Sequence, residues 1–135
     1  MHTGLTDALR HSQFSERFEL LLSSRQVSQH TLETTQAILN GIARDFRLSL
    51  TEDNAGMFAS HLALALERLT SGHSLEDAPS AVVAEAKTFE TEWGYAWQLA
   101  VSLRADTGKQ LPDGEIGYVT IHLRKLVEDA QSGAL

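Results

Sequence analysis

Two histidines carry the chemistry within reach of this sequence. The first stands in Phe58-Ala-Ser-His61-Leu-Ala-Leu-Ala-Leu-Glu-Arg68, and the second ends Leu111-Pro-Asp-Gly-Glu-Ile-Gly-Tyr-Val-Thr-Ile-His122. Each borders an apolar stripe. At about 100° per residue, Phe58, Leu62, Ala65, Leu66 and Leu69 form one arc with His61 at its edge; Arg68 falls within roughly 20° of His61 and about 10 Å along the axis. In the later segment Ile116, Val119, Leu123, Leu126 and Val127 make the arc, and His122 lies at its margin on the side of Tyr118. A boundary imidazole can keep one ring nitrogen neutral and reachable while a hydrogen bond holds the other, which suits a phosphoryl or proton switch better than a catalytic cleft. A single histidine beside an apolar face is also commonly a hydrogen-bonded structural residue, so spacing alone leaves both readings open.

The elements that must position these side chains read as helices. Phe14, Phe18, Leu21 and Leu22 share a face, which predicts a short helix from Phe14 to Leu22. Ser28 is placed to cap a second helix reaching about Arg47, with Leu32, Ile38, Leu39, Ile42 and Phe46 as its stripe. Thr51 followed by Glu52 and Asp53 opens a third, to about Thr70. A loop follows from Ser71 to Pro79. Helical patterning resumes from Ser80 to about Ala105, with a break expected at Trp93-Gly94-Tyr95. Asp113 is expected to cap a last helix to about Asp129. Tyr118 to Leu123 alternates like a strand, but the run lacks a partner and continues at helical spacing into Leu126 and Val127, so helix is preferred.

The 135 residues are 42% hydrophobic, enough for one sizeable core. The absence of cysteine excludes disulfides and thiolate metal sites, and no segment resembles a membrane span or signal peptide, so a cytoplasmic location is expected. Eleven basic residues face eighteen acidic ones, a formal charge of -7 that opposes direct nucleic-acid binding.

The His-(x)6-Arg spacing of His61 and Arg68, with Leu-Pro-Asp-Gly-Glu-Ile-Gly-Tyr-Val-Thr-Ile-His122 about fifty residues later, closely resembles the PTS regulation domain (PRD). That family occurs in bacterial sugar-responsive antiterminators and transcription activators. The resemblance spans roughly Thr31 to Leu126. It implies an all-α, compact bundle of about five helices, here with an extra short N-terminal helix: residues 1–27 as an extension and 28–131 as the bundle. It further implies a homodimer, no cofactor, and phosphorylation at His61 and His122 by phosphotransferase-system proteins, HPr or an EIIB domain. Arg68, Glu92 and Glu115 match family positions and are expected to support the histidines. Where family members carry an aspartate before the first histidine, this chain has Ser60. The two-domain arrangement and output modules of familiar members are missing, so the chain is expected to be a free-standing regulator acting through dimer rearrangement or a partner protein.

Two other classes compete. Phe18 to Thr34 resembles a helix-turn-helix, with Arg25 and His30 as its cations and Glu33 on the would-be recognition helix. A metal-binding helical protein would use His61 and His122 as ligands, although no histidine has a carboxylate three residues before it. No phosphate-cradling glycine loop or nucleophile elbow is present, so an enzyme is not expected. His2, His11, His30 and His73 read as solvated, Glu85, Lys87 and Glu90 as a solvated helix face, and Phe89, Trp93, Tyr95 and Trp97 as core or dimer interface.

Overall fold

The structure, a computed structural model, describes residues 4–73 and 79–133. His2 and most of the Ser71–Pro79 loop fall outside the described residues. Among these residues there are seven helices and no strand: α1 Asp7–Arg10, α2 Ser15–Ser23, α3 Gln29–Phe46, α4 Glu52–Ser71, α5 Ser80–Thr88, α6 Glu90–Thr107 and α7 Asp113–Gln131. The chain is all-α, as its periodicity indicates, and the strand-like stretch from Tyr118 to Leu123 lies inside α7. The helical pairing of Ile116, Val119, Leu123 and Leu126 prevails because all four are buried on one face. The described residues divide into two compact units, one up to Glu67 and the other from Arg68 onward.

In the first unit, the opening segment is tied to α3. Gln29 Nε2 donates to the Gly4 carbonyl at 2.7 Å, and Ser12 Oγ meets Gln36 Oε1. Leu9, Phe14 and Phe18 are essentially fully buried, with the two phenyl rings 6.0 Å apart. The one-turn α1, which carries no long apolar period, lies upstream of the expected first helix; Asp7 and Arg10 pair across it. Ser28 caps α3 by accepting from Thr31 N at 3.2 Å. The start of α4 is a reciprocal box, with Thr51 Oγ1 accepting from Asn54 N at 3.3 Å and Asn54 Oδ1 accepting from Thr51 N at 2.9 Å. Both caps stand where the sequence places them.

In the second unit α5 and α6 pack on α7. Gly117 permits the close approach: a Cβ there would lie 3.7 Å from Ala86 Cβ and 3.8 Å from Val83. Two boundaries differ from expectation. The helical break falls at Phe89 (φ -90°, ψ 73°) rather than at Trp93-Gly94-Tyr95, because Gly94 continues the helix on an open face while Phe89 leaves helical geometry and starts α6 through Trp93 N donating to its carbonyl at 2.8 Å. Asp113 is the first residue of α7, not its cap; Pro112 holds the cap position in extended geometry and makes no side-chain cap bond. The inward positions of α6 are Glu92, Ala96, Ala100 and Leu103, so Phe89, Trp93, Tyr95 and Trp97 are half-buried rather than core. Trp93 and Trp97 meet edge to face at 6.3 Å.

Candidate functional site

His61 lies in the middle of α4, half-buried, at the margin between two surfaces. Phe58, Leu62 and Ala65 face the core, at 1%, 4% and 6% exposure, whereas Met57, one turn earlier, is 77% exposed and Arg68, two turns later, is open to solvent. That is the boundary position its spacing indicates. The residue before it, Ser60, accepts from Arg17 Nη1 at 3.0 Å, and Arg17 also pairs with Glu52 in the first turn of α4.

His122 is likewise half-buried, on α7, between fully buried Leu123 and Thr120 on one side and the Tyr118 ring on the other. The rings of Tyr118 and His122 stand 4.5 Å apart, tilted by 35°, one helical turn from each other. Burial pushes the Tyr118 phenol above its ordinary value of 10.0, and the nearby Glu115 carboxylate adds to the effect, so Tyr118 is a neutral neighbour for the imidazole. Glu115, Tyr118 and His122 fall on one stripe of α7, and Glu115 is 8% exposed.

Glu92 is buried at 4% exposure, on α6. Its carboxylate accepts from Arg124 Nη1 at 3.4 Å. Arg124 also donates to Glu128 at 2.8 Å and sets its guanidinium 5.1 Å from the centre of the Phe89 ring. Arg124 lies two residues after His122 on α7, about 200° around the helix. Glu92 therefore engages the face of α7 opposite the imidazole and fixes that helix through Arg124, a residue that sequence reasoning did not single out. The partners of Arg124 lie 32 positions away on α6 and one turn on along α7.

Glu67 was also missed. Its carboxylate accepts from Ser28 N and Thr31 Oγ1, both at 2.9 Å, sitting over the N-terminus of α3. The Ser28 backbone bond, ahead of the hydroxyl bonds, holds this carboxyl below its usual value of 4.5 against the opposing effect of burial. In a helix-turn-helix reading, α3 would be the recognition helix; here a carboxylate occupies the N-terminus that would have to approach DNA phosphates.

Among the described residues, no group of three or more histidine, aspartate or glutamate side chains is placed to hold a metal ion, and no helix is long and apolar enough to cross a membrane. His11, His30 and His73 are exposed, as are Glu85, Lys87 and Glu90.

Neither a curated protein nor a solved structure matches the chain. The family model described as "PRD domain" matches residues 36–126, about two thirds of the sequence, a stretch that begins five residues inside the expected start and runs from within α3 to within α7, with both histidines. The chain belongs to the PRD domain family, whose members are all-helical regulatory modules under phosphotransferase-system control.

Proposed function

We propose that this chain is a free-standing transcription-regulatory module in which His61 and His122 accept phosphoryl groups from phosphotransferase-system proteins, HPr or an EIIB domain, in the cytoplasm. The observation that carries the reading is the half-buried placement of both imidazoles at the edges of the buried faces of long helices. Such a ring is held in orientation and can still be met by a donor protein. In the transfer, a lone pair of the accepting imidazole forms a new N–P bond as the bond from phosphorus to the donor's own side chain breaks, an N–P bond for a histidine donor or an S–P bond for a cysteine donor. The proton released by the accepting ring passes to the departing side chain.

Arg68, exposed two turns from His61, supplies a cation for the arriving dianion. Glu115 acts through Tyr118, and Glu92 acts through Arg124 by fixing α7. Residues 28–131 are assigned to the regulatory domain, and residues 1–27 to its N-terminal extension. The signal leaves through rearrangement of a homodimer or through a separate effector protein.

The test is incubation of the chain with phosphoenolpyruvate, enzyme I and HPr, or with a phosphorylated EIIB domain, followed by phosphosite mapping at neutral to alkaline pH. Phosphate is expected on His61 and His122, and each His→Ala substitution should abolish labelling at its own position. Absence of phosphate from both positions with every donor sinks the reading.

A further inference from the structure

Arg17, in the segment outside the family match, reaches the residue beside His61. From α2 its guanidinium makes three contacts with α4: Nε donates to Glu52 Oε1 at 2.9 Å, Nη2 pairs with the same oxygen, and Nη1 donates to Ser60 Oγ at 3.0 Å. Gly56 makes room for this arrangement. A Cβ at that position would come within 2.5 Å of Glu52 Oε1 and 2.8 Å of Arg17 Nη2, both at the ends of flexible side chains, so any larger residue there would push the pair aside. The pair is also open to solvent, with Arg17 at 30% and Glu52 at 46% side-chain exposure, at a groove of about 490 Å³ lined in part by Gln13, Ser15 and Glu16.

Ser60 and His61 are consecutive on α4, with Cα atoms about 3.8 Å apart and side chains about 100° apart around the helix, so the guanidinium would have to swing from Ser60 to meet a group on the His61 ring. A half-exposed carboxylate holds an arginine weakly. A phosphoryl dianion offers more charge and several oxygens in the geometry a guanidinium fork prefers. We propose that Arg17 is a phosphoryl-sensing residue for His61: it leaves the Glu52 carboxylate for the phosphoryl group and thereby couples α2, and with it the N-terminal segment, to the phosphorylation state. This inference rests on His61 being an acceptor. It assigns residues 1–27 the role of reading the first histidine.

The experiment uses the full chain and phosphoramidate, a small donor that needs no docking surface. The His61 ring nitrogen forms the N–P bond, the P–N bond of phosphoramidate breaks, and the departing ammonia takes the imidazole proton. The second ionisation of each phosphohistidine is then followed by 31P NMR between about pH 4 and 9. Contact with Arg17 favours the dianion, so in Arg17→Ala this ionisation at His61 should move up by about one pH unit, with no change at His122. Arg17→Lys should retain part of the effect. Glu52→Gln, which releases Arg17, should move the ionisation further down; both variants guard against misfolding of the alanine form. An unchanged ionisation at phosphorylated His61 in Arg17→Ala, or an equal shift at His122, overturns the sensing role and leaves the acceptor reading intact. Failure of His61 to take phosphate from any donor overturns both.

Discussion

At the scale of single residues, the side chains that decide local geometry here are paired over long sequence distances. Glu67 caps a helix whose N-cap residue, Ser28, lies 39 positions earlier. Its carboxyl is held below the usual 4.5 chiefly by the Ser28 N–H. A depressed acid contributes stability that is present above its unfolded value and lost as pH falls through its folded one. Glu67→Gln should therefore cost about 1 kcal/mol at pH 7, the worth of a typical cap, and the difference from the unaltered protein should shrink as pH drops below 4.5. Urea unfolding at pH 7 and pH 3 checks this; an equal difference at both would place the contribution in packing instead of charge. The same distances explain what was legible. His61 and His122 stand out because each edges a stripe readable within one helix. Arg17, Glu67 and Arg124 have no such stripe; their roles arise only once separate helices meet. Glu92 was picked out, but its partner was not, and that partner turns it to the other face of α7.

At the scale of elements, helix starts were readable where a side chain makes the cap and misread where the backbone does. Ser28 and Thr51 carry oxygen acceptors, and both caps form. The break between α5 and α6 rests on the backbone of Phe89, a residue with no intrinsic preference for ending a helix, whereas Gly94 costs a helix only about 1 kcal/mol and is tolerated on an open face. The end of α3, expected at about Arg47 and found there, is also a backbone device. Arg47 adopts φ 54°, ψ 49°, and the Leu48 N–H closes onto the Ala43 carbonyl at 2.9 Å. A left-handed conformation is strained for a residue with a Cβ. Arg47 is exposed, so a glycine would relieve the strain without opening a cavity. Arg47→Gly should raise stability by up to about 1 kcal/mol. A lower melting temperature in the variant would mean that the arginine side chain contributes more than its backbone strain costs.

At the scale of the whole molecule, the chain's charge bears on how phosphorylation could be read out. The formal charge of -7 already makes two copies repel. Phosphohistidine adds about 1.5 to 2 negative charges per site, so modification of both histidines would take each chain to about -10 or -11. In a two-fold dimer every added charge appears twice. Two dianions about 10 Å apart at an effective dielectric near 20 would repel by several kcal/mol before screening, comparable to the roughly 5.5 kcal/mol that swings a two-state equilibrium from one form to the other. If the proposed homodimer is governed in this way, its response must depend on salt, because the Debye length falls from about 30 Å at 0.01 M to about 3 Å at 1 M. Sedimentation velocity should then find the unmodified chain dimeric at both ionic strengths, and the doubly phosphorylated chain dissociated or more extended at low salt and restored at high salt. A sedimentation coefficient unaffected by phosphorylation at low salt would exclude charge-driven rearrangement and leave a separate effector protein as the route of the signal. A monomer throughout would exclude the dimer itself.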